Sequence, residues 1–281
     1  MQRYSDKLFC LFQKAVPQHV LSRLIGKVAE AKTPWLKNML IHQAIRTYKI
    51  DLSIAEREQV EEYSNFNDFF TRSLKASARP ICPDTDAIVS PADGILSQFG
   101  QIRNDQFIQA KGQSYSTTRL LGGDDTLAAE FACGSFATIY LSPSDYHRVH
   151  MPWTGKLVET RYIPGKLFSV NQTTTKNMPE LFAKNERLVC IFETSLGKMA
   201  VILVGAMLVA GIETCWQHYY SPTKATSVSF AKEVINLERG EELGRFKFGS
   251  TVVLLFKKSL SFDKELANGK NILMGEPLTL G

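Results

Sequence analysis

The chain has 281 residues, 44% hydrophobic and 22% charged, with a formal net charge of +5, a composition that can bury a sizeable core and excludes an intrinsically disordered protein. Its five cysteines are odd in number, widely spaced and without a CxxC pair, which argues against a disulfide framework or a zinc site and for a reducing, cytosol-facing location. The charge is unevenly placed: residues 1–50 carry nine Lys or Arg against two acids, a net of +7, so the rest of the chain sits at −2. Attraction to anions therefore belongs to the N-terminal segment, and no nucleic-acid partner is expected of the body.

From Lys7 to Lys49 apolar residues recur at helical spacing: Leu8, Phe9 and Phe12; then Val20, Leu21, Leu24, Ile25 and Val28; then Leu36, Leu40, Ile41 and Ile45. Pro17 and Pro34 divide this stretch into three short helices. With cationic residues on their other faces, the first two have the pattern of helices lying in a lipid headgroup layer, although amphipathic helices packed on their own domain would read the same way. No signal-peptide pattern stands at the N-terminus, and no run of about 20 apolar residues is present to form a transmembrane helix.

Residues 51–80 are an aromatic-rich transition containing EYSNFNDFFTRSLKASARP. After Pro83 the pattern becomes that of strands: AIVS, GILSQF, FATIYLS, GKLVETRYI, RLVCIFET, KMAVILV and TVVLLFKK are short, β-branched and bounded by turn residues. The apolar stretch Met199 to Ile212 is too short to span a bilayer and is interrupted by Gly205 and Gly211, so one or two buried strands are expected there. The expected fold class is α+β: a mostly β catalytic domain over residues 51–281 behind amphipathic, membrane-associating helices over residues 1–50.

Three places carry reactive side chains where a β domain would otherwise put turns: Ser90-Pro91-Ala92-Asp93-Gly94, Tyr146-His147-Arg148-Val149-His150, and Phe248-Gly249-Ser250-Thr251. Singly, each has an ordinary reading as an Asp-Gly turn, a surface histidine pair or a loop-to-strand transition. Together an acid, a histidine and a hydroxyl are the parts of a charge-oriented triad. Ser250 does not sit on the GxSxG elbow of an α/β-hydrolase, so attack on its own backbone is the alternative to turnover of an external ester. A glycine before the serine leaves the carbonyl unshielded. With His150 as base, oriented by Asp93, Ser250 Oγ can convert the Gly249–Ser250 amide to an ester. Elimination then frees the Gly249 carboxylate, and hydrolysis of the dehydroalanine leaves a pyruvoyl group and ammonia.

In order and spacing these three motifs resemble those of the phosphatidylserine decarboxylase family. Further stretches are similar too: FNDFFTRSLK, PGKLFSVN, FAKNER and VGAMLVAGIET. The resemblance implies that Asp93 and His150 belong to the self-cleavage triad, that Ser250 becomes the pyruvoyl, and that His147 serves catalysis or active-site order. It also implies a substrate, phosphatidylserine, which would form a Schiff base with the pyruvoyl group and leave as phosphatidylethanolamine, with protonation by His147 or His150. No pyridoxal phosphate and no metal are called for. Cleavage would yield chains 1–249 and 250–281 that stay together, with further homodimerisation, on the cytoplasmic face of the cell membrane as a peripheral protein. Phe248 departs from the leucine usual in the family, and residues 218–233 are not matched and receive no role. Two other readings stand beside it: a lipid hydrolase turning over with Asp93, His150 and Ser250, and a non-enzymatic peripheral membrane protein whose β domain binds a partner.

Overall fold

The computed structural model describes residues 9–10, 13, 16–110, 113–207, 211–217, 224–230, 234–247 and 250–280. Its fold class is the expected one, α+β with a large antiparallel sheet behind N-terminal helices. Two of the three expected helices are seen, α1 (Gln18–Ala29) and α2 (Pro34–Tyr48). The first, on Leu8, Phe9 and Phe12, falls largely outside the described residues. Pro17 immediately precedes α1 and Pro34 opens α2, positions where the missing N–H is harmless because first-turn N–H groups have no intrahelical acceptor. Among the described residues no helix is long and apolar enough to cross a membrane.

Helix α2 shares a core with the aromatic-rich segment that follows. Ile41 and Ala44 pack with Ile50, Tyr63, Phe66, Phe69 and Phe70, the last three borne on the short helix α3 (Phe66–Phe70). Asn65 caps α3 by accepting from the Asp68 N–H at 2.9 Å.

Fourteen strands follow among the described residues: β1 (Gly94–Gln101), β2 (Gln106–Ala110), β3 (Gln113–Ser116), β4 (Ser135–Leu141), β5 (Arg148–His150), β6 (Gly155–Ile163), β7 (Arg187–Thr194), β8 (Gly197–Val204), β9 (Ile212–Thr214), β10 (Thr226–Ser229), β11 (Asn236–Leu237), β12 (Glu242–Phe246), β13 (Ser250–Phe256) and β14 (Lys270–Ile272). The main sheet runs β10-β6-β7-β8-β13-β4-β1-β14, with β11 also paired to β6. A smaller sheet, β5-β12-β9, covers one face and the β2-β3 hairpin with short helices covers the other. Both faces of the central strands are therefore buried. Val252, Leu254 and Phe256 enter one core and Val253 and Leu255 the other, which explains the unbroken apolar runs in place of alternation.

Of the predicted strands only AIVS fails to form one. Its backbone groups are claimed by scattered partners: Ile88 N–H by Thr279 Oγ1, Val89 N–H by the Pro152 carbonyl and Ser90 N–H by the Glu276 carbonyl. The Met199 to Ile212 run splits into β8 on the main sheet and the start of β9 on the smaller one. The register places Ser250 opposite Leu141, Thr251 opposite both Tyr140 and Val204, and Ile95 opposite Tyr140. The starts of β1 and β13 and the ends of β4 and β8 thus share one end of the sheet, where the three motifs meet.

Candidate active site

Asp93 closes the turn that feeds β1. The turn is drawn tight by Ser90, whose Oγ donates to the Ala92 carbonyl at 2.8 Å. Gly94 must be glycine, because a Cβ there would lie 2.3 Å from the Tyr140 carbonyl oxygen across the β1–β4 pair. Asp93 is nearly fully buried and accepts three charge-assisted bonds from Arg79, Nε at 2.8 and 3.0 Å and Nη2 at 2.5 Å, with a fourth bond from the Met274 N–H at 2.9 Å.

His147 and His150 flank and occupy β5, which pairs with β12. The His150 N–H donates to the Pro91 carbonyl at 2.7 Å, tying this motif to the Asp93 turn. On its ring, Nδ1 donates to the Gly240 carbonyl at 2.8 Å, so Nε2 is the basic nitrogen and accepts from the Tyr146 hydroxyl at 3.0 Å. Burial holds the imidazole below its usual pKa, opposed by the Gly240 bond and by the nearby carboxylates of Glu242 and Asp93.

The expected direct orientation of His150 by Asp93 is therefore not the arrangement seen. Both Nδ1 and Nε2 of His150 are engaged elsewhere, and Arg79 takes the carboxylate. The physical reason is strength. A planar guanidinium matches a buried carboxylate with parallel charge-assisted bonds, and a neutral imidazole cannot compete for it. Asp93 acts on His150 through its field.

His147 is fully buried. Its ring stacks on Phe70 at 4.1 Å between centroids. Its Nε2 donates to the Ser142 carbonyl at 3.0 Å, which leaves the Nδ1 lone pair without a partner. Burial, reinforced by the charge of Arg72, lowers its pKa to about 3, so the ring is neutral at physiological pH.

Ser250 opens β13 between β8 and β4, fully buried, and its Oγ has no hydrogen-bond partner. An orphaned hydroxyl in a sheet interior is costly; the adjacent Thr251 Oγ1 is buried without a partner as well, so what distinguishes Ser250 is the glycine before it. Phe248 and Gly249 lie outside the described residues. Ser142, whose carbonyl holds His147, follows directly on Leu141, the register partner of Ser250. A cavity of about 380 Å³ adjoins this end of the sheet, lined by Arg72, Arg79, Asp93, Ser142, Asp145 and Tyr146.

The sequence gives no role to Arg72, Arg79 or Gly240, and names Tyr146 only as part of its motif. For the two arginines a signal was present, since cations inside an aromatic-rich run are poorly placed for solvent. Gly240 contributes a carbonyl, which no side-chain pattern reveals. Among the described residues no group of His, Cys, Asp and Glu is arranged to hold a metal ion.

Comparison with known proteins places this geometry in context. The family model for phosphatidylserine decarboxylase matches residues 66–279, and a second model, PSD, matches residues 8–49. The phosphatidylserine decarboxylase proenzyme of Pseudomonas aeruginosa strain LESB58 is 50% identical over 99% of this chain and 98% of its own length. That of Ectopseudomonas mendocina is 52% identical over 97% and 98%, and that of Alcanivorax borkumensis 56% identical over 89% and 88%.

Proposed function

The chain belongs to the phosphatidylserine decarboxylase family, and on that premise we propose that it is a self-processing enzyme that decarboxylates phosphatidylserine to phosphatidylethanolamine with a pyruvoyl group made from Ser250. The observation that carries this reading is the buried, unpartnered Ser250 Oγ at the start of a central strand, directly after a glycine and at the end of the sheet where β1 leaves the Asp93 turn. Such a hydroxyl fits a group destined to be consumed.

In the precursor, Ser250 Oγ attacks the Gly249 carbonyl carbon, the C–N bond breaks and an ester replaces the amide. His150 Nε2 accepts the hydroxyl proton, released for that purpose from its contact with Tyr146. The Gly240 carbonyl fixes the tautomer, and the Asp93 charge favours the imidazolium as it forms. Loss of the Ser250 α-proton then expels the Gly249 carboxylate. The pyruvoyl group at position 250 would supply an electron sink for the substrate carbon that loses CO2. His147, neutral and with a free Nδ1, is placed to exchange a proton in that buried setting. Cleavage need not separate the products, because β13 lies in the middle of the sheet, hydrogen-bonded to β8 and β4 along its length.

We also propose that the protein works at the cytoplasmic face of the cell membrane as a peripheral protein. Helix α1 turns Gln18, Ser22, Gly26 and Ala29 inward and leaves Val20, Leu24 and Val28 exposed, with Trp35 and Met39 of α2 exposed as well. A helix with its small and polar residues inside and its apolar stripe outside suits a lipid surface. The start of α1 is tied to the main domain by His19 Nε2 to the Gly165 carbonyl at 2.9 Å and by the Leu167 N–H to Gln18 Oε1 at 2.8 Å. Just past its end, Glu30 is 3.6 Å from Lys247, three residues before Ser250. These contacts at both ends of α1 support a stripe presented on the side of the molecule that carries Lys247.

The test is intact-mass analysis of active protein. Two chains, 1–249 and 250–281, the second beginning in a ketone that forms a hydrazone, are expected; an active chain unbroken at Gly249–Ser250 would overturn the reading.

A further inference from the structure

Arg72 is 3% exposed, in the turn that follows α3. Its Nη2 reaches the Ser144 carbonyl only at 3.4 Å, and Nε and Nη1 have no acceptor. The nearby carboxylates are taken: Asp93 by Arg79, and Asp145 by the Ser142 N–H and hydroxyl at 2.7 and 2.9 Å. A guanidinium stays charged when buried, and a buried charge with idle donors is an arrangement that folding disfavours. Arg72 also lines the cavity of about 380 Å³ beside Asp93 and Tyr146. It lies two residues from Phe70, whose ring stacks on His147. The idle cation thus lies at the cavity that Asp93 lines, close enough for its charge to act on His147.

We propose that Arg72 is a specificity-determining residue that binds the phosphodiester of the lipid headgroup in this cavity. The inference rests on the decarboxylase reading for the identity of the lipid. The long Ser144 contact gives way to the phosphodiester oxygens, for which the planar fork of Arg is suited. The substrate carboxylate is the poorer partner. Its charge leaves during the reaction, so a cation paired with it would stabilise the ground state against the transition state. The phosphodiester keeps its charge throughout, so its recognition lowers KM and leaves kcat nearly untouched.

The test uses the full chain carrying Ser250→Ala, which binds without reacting, titrated calorimetrically with glycerophosphoserine, inorganic phosphate and O-octyl-L-serine. The last keeps the amine and carboxylate and lacks phosphate. Adding Arg72→Met is expected to weaken glycerophosphoserine about tenfold or more while O-octyl-L-serine changes less than about twofold, with Arg72→Lys between. Equal weakening of both ligands, or of neither, overturns the proposal. Inorganic phosphate bound as tightly as glycerophosphoserine would make this a free-phosphate site and overturns the lipid assignment. In the processed enzyme, Arg72→Met should raise KM for dihexanoyl phosphatidylserine about tenfold with kcat within about threefold.

Arg72→Met should also melt no lower than its parent, since it removes a buried charge with two unsatisfied nitrogens while Met can keep the packing on the Phe69 ring, over which the guanidinium carbon sits at 5.5 Å; a clear fall would mark Arg72 as structural and overturn the proposal. Wild-type enzyme that releases no CO2 from phosphatidylserine, alongside titrations that behave as expected, would sink the decarboxylase reading and leave the phosphodiester site standing.

Discussion

Helix α1 and strand β13 treat apolar side chains in opposite ways. Every residue of β13 is buried, with Val252, Leu254 and Phe256 on one side and Val253 and Leu255 on the other. Helix α1 buries glutamine, serine, glycine and alanine and leaves Leu24 57% exposed. The strand follows the rule for a protein interior in water. The helix leaves its apolar stripe uncovered, an arrangement that the proposed lipid surface would complete. Two polar atoms break the pattern inside the strand, the unpartnered hydroxyls of Ser250 and Thr251 at its start, and only Ser250 follows a glycine.

The most severe way to sharpen the contrast is at the Ser250 hydroxyl. Ser250→Ala should abolish chain cleavage and lipid decarboxylation together while the sheet stays intact, as read by intact mass, product assay and melting temperature. Cleavage at the normal site in this variant would remove Ser250 from the mechanism.

Next in size are changes inside the sheet and its flanking ion pair. Leu254→Ala should destabilise by about 2–5 kcal/mol through lost burial and a cavity. Asp93→Ala should cost about 3–5 kcal/mol because it strands Arg79 without its carboxylate, and should slow cleavage as well. Urea midpoints and the cleaved fraction report both.

A smaller effect follows from His147. The unfolded chain protonates this ring near its ordinary value of 6.5 and the folded one only near 3. Between these values the unfolded state binds more protons. Its contribution is therefore fully present above pH 6.5 and declines as pH falls, by about 1.4 kcal/mol per unit. His150, also lowered by burial, acts with the same sign. His147→Asn should flatten the pH dependence of the urea midpoint between pH 6 and 4; an unchanged slope would show that the ring is not held neutral.

The smallest expected effect on stability is at Leu24. Leu24→Glu should shift the urea midpoint by no more than about 0.5 kcal/mol, as at an ordinary surface position. It should nonetheless release the protein from anionic vesicles in a sedimentation assay, losing roughly 1.5–3 kcal/mol of apolar burial. Unaltered vesicle binding would break the comparison between helix and strand.

The main strands were readable because apolar runs and turn residues act over a few neighbours. β6 and β7 coincide with GKLVETRYI and RLVCIFET, and AIVS failed because its hydrogen bonds go to remote partners. Helix boundaries at Pro17 and Pro34 were readable for the same short-range reason. The direction of α1 was not, since its sequence allows either face to turn inward and only contacts such as His19 to Gly165 decide.

The amino-acid sequence alone determined the α+β class, the cationic N-terminal segment and the three reactive motifs, because periodicity, charge and residue chemistry are local properties. Tertiary structure decided the partners: Arg79 and the Met274 N–H, 181 positions away, for Asp93; Gly240, 90 positions away, for His150; and none for two nitrogens of Arg72. Hydrogen bonds between distant residues form only where the fold brings donor and acceptor within about 3 Å, and competition among buried charges, which no local pattern records, selects which of them pair.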